Sequence, residues 1–216
     1  VEEYRKFEEQ QVKPDRLVST LFSNADFIRC EVNPNNLMWG LYWIAVDMQD
    51  IETPVSFYDI FTAREMFDLW QCVNYRFYIG NANPLASKGI VMANAKSLVE
   101  NIIESADAAI KDHSIAATLR FGHDGNVIPL LALLQIENFD VAVAGPSEVY
   151  KYWCDFKATP MASNVQIVFF ENKKGDVLVK FLHNEKEVHI PVKTDNWPYY
   201  HWNEVRDYYQ KRLAGM

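Results

Sequence analysis

Residues Ala117–Leu134 read ATLRFGHDGNVIPLLALL, and the fold turns on how that string divides. From Ile115 to Phe121 the chain is short, apolar and closed by Gly122, the pattern of a buried β-strand. His123-Asp124-Gly125-Asn126 follows as a tight polar loop. The run VIPLLALL then reads as a helix with Pro129 in its first turn. The expected order is strand, loop, helix. It puts the His-Asp pair beyond the carboxyl end of a strand and at the amino end of a helix.

That location suits an anion. Ligands of open α/β sheets bind beyond the carboxyl ends of the strands. A helix start offers free backbone N–H groups and a partial positive charge. A protonated His123 can donate to a phosphoryl oxygen. Asp124, partly desolvated or close to a negative substrate, can hold a proton and pass it to a leaving oxygen. Gly122 and Gly125 leave room for a ligand to approach. A plainer account also fits, because Asp124 is a good helix N-cap and a His at a strand end is often only hydrogen-bonded structure. Arg120 could reach phosphate. Strand alternation puts it on the side of Gly122 and opposite Phe121, where a structural salt bridge is equally expected.

Upstream of the string the chain reads as helical. A short helix over Asp15–Phe22 follows Pro14, and a longer one opens at Asn33-Pro34. Its run Leu37, Met38, Trp39, Leu41, Tyr42, Ile44, Ala45 looks buried on most sides. A third runs from about Tyr58 to Tyr78 and stops at the Gly80–Pro84 breaker. A fourth begins after Ser87, with Leu98, Val99, Ile102, Ile103, Ala106, Ala109 and Ile110 on one stripe. Downstream, 140–160 looks irregular. Strands are expected over Val165–Phe170, Val177–Leu182 and Val188–Ile190, joined as a meander through polar turns that hold Lys173 and Lys174. A helix over about Asn203–Leu213 closes the chain. The expected organisation is a mainly helical region over 1–111 and an α/β region over 112–216.

Composition sets outer bounds. The 216 residues are 49% hydrophobic and 23% charged, ordinary for a globular chain. A net charge of -8 argues against nucleic acid and anionic membrane as main partners, while leaving room for a local cationic pocket. No stretch approaches the roughly 20 apolar residues of a membrane span. The opening VEEYRKFEEQ is charged, unlike a signal peptide, and a start at Val1 reads as a processed or trimmed product. Cys30, Cys72 and Cys154 have no zinc-like spacing; buried free thiols are expected, with one disulfide possible in principle. His123-Asp124 as half of a metal site would need two further ligands, and no His/Cys/Asp cluster at ligand spacing appears, so neither metal nor cofactor is expected. The cluster Trp197-Pro-Tyr-Tyr-His201-Trp202 could face a sugar or inositol ring, but core packing is the first reading. The Trp and Tyr residues of 38–78 are expected to fill the helical core.

The string 117–134 closely resembles the segment around the proton donor of the histidine acid phosphatases, which include phytases and multiple inositol polyphosphate phosphatases. In that family an apolar strand, a small residue and His-Asp or His-Ala-Glu precede a helix of the type LLPLLALLGL. Ser163-Asn164 before a hairpin and closing helix is similar too, and the helical first half looks like the rear of the family's cap. The resemblance implies the C-terminal part of a histidine-phosphatase α/β core with a largely helical cap region. It implies hydrolysis of phosphomonoesters, inositol phosphates among them, through a phosphohistidine, and a periplasmic or secreted setting. Carried over by position, His123 binds phosphate and Asp124 donates the proton. The sequence departs from the family at the nucleophile: it contains no Arg-His-Gly, and none of His113, His123, His183, His189 and His201 follows Arg or precedes Gly. The chain by itself is therefore expected to lack the covalent step. Strand 115–121 is expected to show an open sheet edge, through which the chain could associate. The alternative to a hydrolase is a non-catalytic module that binds a phosphorylated ligand or a protein.

Overall fold

The computed structural model describes residues 2–216 and divides by packing into two units, one ending at Arg76 and one running from Phe77 to Met216. The boundary falls inside a long helix.

The first unit is helical. It contains α1 (Glu2–Gln11), α2 (Asp15–Leu21), α3 (Ala25–Glu31), α4 (Pro34–Asp47) and most of α5 (Ala63–Asn81). The charged opening is itself a helix, anchored by a single apolar side chain. Phe7 is buried, its ring meeting that of Tyr75 edge-on at 5.3 Å. Side chains fix two helix starts. Asn24 Oδ1 accepts from the N–H groups of Asp26 and Phe27, and Asn33 Oδ1 from that of Asn36, with Pro34 in the first turn. α4 is less enclosed than its apolar run suggests. Met38, Tyr42 and Ala45 form the buried stripe, while Trp43 and Ile44 face solvent. Arg16 pins α2 to α5 with a two-pronged contact to Glu65, 2.7 and 2.6 Å, and a bond to the Ile60 carbonyl.

The second unit holds α6 (Lys96–Asp112), α7 (Asp124–Leu133), the short helices α8 (Val149–Tyr152) and α9 (Asp155–Ala158), and the closing α10 (Trp202–Ala214). The stretch expected to be irregular thus contains two single-turn helices. The sheet consists of β1 (Val165–Glu171), β2 (Val177–His183), β3 (Lys186–Glu187) and β4 (Tyr200–His201). β1 and β2 form the expected antiparallel hairpin, Val165 opposite His183 and Glu171 opposite Val177. Gly175 turns it with φ +81°, a left-handed conformation that a side chain would strain. β3 is shorter and earlier than the expected 188–190, where only the Val188 N–H bonds across, to Phe181. Its place along β2 is shared by β4, which pairs Leu178 with His201 and Val179 with Tyr200. The aromatic cluster therefore divides: Tyr200 and Trp202 enter the core, whereas Trp197 stacks on His189 at 4.8 Å.

α7 is the centre of this unit. Ile128 through Leu134 are all buried. Beyond its last turn, α10 supplies the donors that the helix lacks: Tyr209 Oη donates to the Leu134 carbonyl at 2.7 Å and Arg212 Nε to that of Leu133 at 3.1 Å. α7 is thus held along its apolar length and at its carboxyl end, leaving its amino end to project.

Two expectations around α7 need correcting. Residues 115–121 are not a buried strand: no strand is assigned there, and Ile115, Leu119 and Phe121 are 53%, 75% and 94% exposed. A strand is stable only when its backbone groups find a ladder partner, and no described segment offers one. Pro129 lies in the second turn of α7 rather than the first, because the helix already begins at Asp124. The three cysteines are free, but only Cys72 and Cys154 are buried; Cys30 is exposed.

Candidate functional site

The amino end of α7 carries the residues singled out in the sequence. His123 is the N-cap, extended at φ -112° and ψ 173°, and Asp124 is the first helical residue. The N-cap role that Asp124 was suited to thus falls to its neighbour. Asp124 Oδ1 instead accepts from the Gly125 N–H at 2.7 Å, which satisfies one of the open donors of the first turn. Both side chains are exposed. They stand together at the positive end of the helix dipole, which favours an anion, although the N–H groups of Gly125, Asn126 and Val127 are already bonded within the chain.

Arg120 does not join them. Its guanidinium lies along α6, with Nη2 donating to Asn101 Oδ1 and Ser105 Oγ at 2.8 Å each and Nε to Asn101 Oδ1 at 3.3 Å. The expected structural role is filled by neutral acceptors rather than by a carboxylate. Two residues that sequence reading passed over do reach the turn. Asn126 Oδ1 accepts from the His123 N–H at 3.2 Å. Asn81 Oδ1, from the end of α5, sits where a Cβ on Gly125 would meet it at 3.6 Å. The signal for Asn126 was its place three residues after the N-cap, where a side-chain acceptor reaches back. Nothing in the sequence marks Asn81.

Gly122 also differs from expectation. A Cβ there would lie 3.1 Å from Asn126 Oδ1, so the space beside it belongs to the chain's own side chain rather than to a ligand. Elsewhere in this unit an open cleft of about 390 Å³ is lined by Asp107, Lys111, Asp176, His201, Trp202 and Arg206, among others. Its charges are of both signs, and Trp202 Nε1 is committed to Asp107 at 2.8 Å. Neither this cleft nor the second one, around Val141–Gly145, includes His123 or Asp124. Among the described residues no group of three or more His, Cys, Asp and Glu side chains converges as metal ligands would.

The His-Asp turn on a buried apolar helix is matched by a family profile. The profile of the histidine phosphatase superfamily (branch 2) covers residues 5–184, most of the sequence. This chain belongs to that superfamily. No curated protein matches it. Among solved structures, the histidine phosphatase chain is similar to the multiple inositol polyphosphate phosphatase of Bifidobacterium longum. The apo form aligns at 24% identity and a TM-score of 0.66, over 78% of this chain and 38% of that one. The complex with inositol hexasulfate gives the same identity and score over 78% and 36%. The complex with phosphate gives 23% and 0.66 over 80% and 38%. The chain thus spans little more than a third of the length of these neighbours, and at this identity the likeness establishes a shared histidine phosphatase fold.

Proposed function

We propose that this chain carries the phosphate-binding histidine and the proton donor of a phosphomonoester hydrolase whose substrates include inositol phosphates. The observation that carries the reading is the placement of His123 and Asp124 side by side at the exposed amino end of α7. Family membership supports it, as do the neighbours' complexes with phosphate and inositol hexasulfate.

In the proposed reaction a histidine outside this sequence attacks phosphorus, forming a P–N bond as the ester P–O bond breaks. The departing alkoxide takes the Asp124 proton. Water then cleaves the P–N bond, and the Asp124 carboxylate recovers a proton from that water. His123 and the positive end of the α7 dipole hold the charge that builds on the phosphoryl oxygens. The sequence has no Arg-His-Gly, so on this reading the chain alone does not turn over. Residues 115–121 then make sense as a strand whose exposed edge pairs with strands outside this sequence. A periplasmic or secreted setting belongs to the same proposal.

The test is hydrolysis of phytate and p-nitrophenyl phosphate across about pH 4 to 7, where a carboxylic acid can serve as donor. This chain is compared with a gene product extended upstream, with Asp124→Asn in each. The expected result is a silent short chain and an active long one that loses phytate turnover on Asp124→Asn. Turnover by the short chain would place the chemistry on other residues. Saturable phosphate binding without turnover in the long protein would instead make this a binding module.

A further inference from the structure

The residues that carry the proposed chemistry lie in a part of the chain that no core holds. Every residue from Lys111 to Asn126 is exposed, and burial begins only beyond Val127. A general acid must nevertheless keep its place to a fraction of an ångström. Within this chain, contacts other than core packing fix the turn.

From the geometry we infer that Asn126 is the positioning residue of the His123-Asp124 pair, an inference that rests on the function proposed above. Asn126 clamps the His123 residue from both sides. Its side-chain Oδ1 accepts from the His123 N–H at 3.2 Å, and its own backbone N–H donates to the His123 carbonyl at 2.9 Å. The Val127 N–H shares that carbonyl at 3.1 Å. With both its polar backbone groups tied to one residue, His123 cannot rotate its peptides, so the Cα–Cβ direction of its imidazole is set. Asp124 follows directly and is secured through the Gly125 N–H.

Gly122 is the second half of the device. The Asn126 side chain lies against its Cα, and an added Cβ would come within 3.1 Å of Oδ1 and 3.4 Å of both Cβ and Cγ. Few real Cβ contacts are that tight, and the atoms met are those that make the clamp. A side chain at 122 would push Asn126 off the His123 N–H. Glycine at 122 and asparagine at 126 are therefore one requirement.

A residue that merely started a helix would affect stability and nothing else. A residue that aims the acid has a different signature, because proton donation matters most when the leaving group is a poor one. An alkoxide leaving from phytate needs the proton, while p-nitrophenolate leaves without much help.

The experiment uses the long gene product and both substrates. Asn126→Leu, near in size but without an acceptor, should lower phytate turnover roughly tenfold more than p-nitrophenyl phosphate turnover. Asn126→Gln, which restores a side-chain acceptor at that helix position, should recover most of the loss. Gly122→Ala should mimic Asn126→Leu, and the double variant should lose no more than either single one, since both break the same contact. Melting curves of each variant confirm that the enzyme is folded at the assay temperature. Equal losses on both substrates, no loss, or strictly additive losses would overturn the positioning role. Asp124→Asn is the control for the reading beneath: if it fails to discriminate between the substrates, Asp124 is not the acid and the proposal falls with it. If Asp124→Asn discriminates and Asn126→Leu does not, only the positioning role is lost.

Discussion

His183 shows how a single side chain sets a pH limit on the fold. It ends β2 inside the core, with its Nε2 2.7 Å from the Ala158 carbonyl and its ring edge-on to Phe139 at 4.7 Å. A carbonyl only accepts, so Nε2 carries the proton of a neutral imidazole. Burial lowers the pKa of His183, and the Ala158 bond opposes that only in part. The folded state therefore takes up the second proton less readily than the unfolded chain, whose histidine titrates near 6.5. Stability is fully present above that value and is lost as pH falls from about 6.5 towards the depressed folded pKa. Urea unfolding at pH 7.5 and 5.5 should show this loss in the parent chain and a smaller one in His183→Gln. An unchanged loss in the variant would assign the acid sensitivity to other groups.

At the scale of elements, residues 115–121 separate what a sequence encodes from what a fold supplies. The apolar pattern was legible, but the polar stretch after it, expected as a loop over 123–126, is the N-cap and first turn of α7. What the pattern could not carry was a ladder partner, since pairing is a property of two segments. The apolar stripe of α6 was legible, although the helix starts at Lys96 rather than just after Ser87, and so was the β1–β2 hairpin, where alternation meets a glycine turn. α1 went unread because its charge hides a single anchor, Phe7. β4 is too short to show a period. At the site, the place of His123 and Asp124 at a helix start was legible, while Arg120 turned to α6 because Asn101 and Ser105 lie one helical turn apart on its near face. The exposure of Phe121 leads to an energetic expectation. Phe121→Ser in this chain should change stability by less than about 0.5 kcal/mol, as surface substitutions do. In the extended gene product, with the strand paired and covered, the same change should cost about 3 kcal/mol or more. Denaturant unfolding of the two parent–variant pairs measures both, and equal costs would mean that 115–121 stays uncovered in the longer protein.

For the molecule as a whole, charge and covalent state matter more than any one contact. The chain carries 29 acidic against 21 basic residues, so an anion approaching it meets a field of its own sign. The three thiols are unequal partners in this respect as well. Burial pushes the Cys72 thiol up to about 12 and raises that of Cys154, so both stay protonated and unreactive at neutral pH. Cys30 alone stands open to solvent. Under a mild oxidant such as copper–phenanthroline, its sulfur finds a counterpart only on another copy of the chain. Oxidation should therefore stop at a covalent pair, one band at twice the mass on a non-reducing gel, absent in Cys30→Ser. A ladder of higher species would show that the buried thiols open on the timescale of the reaction. Left in air, the protein carries its own slow route to crosslinked dimers, and a single serine closes it.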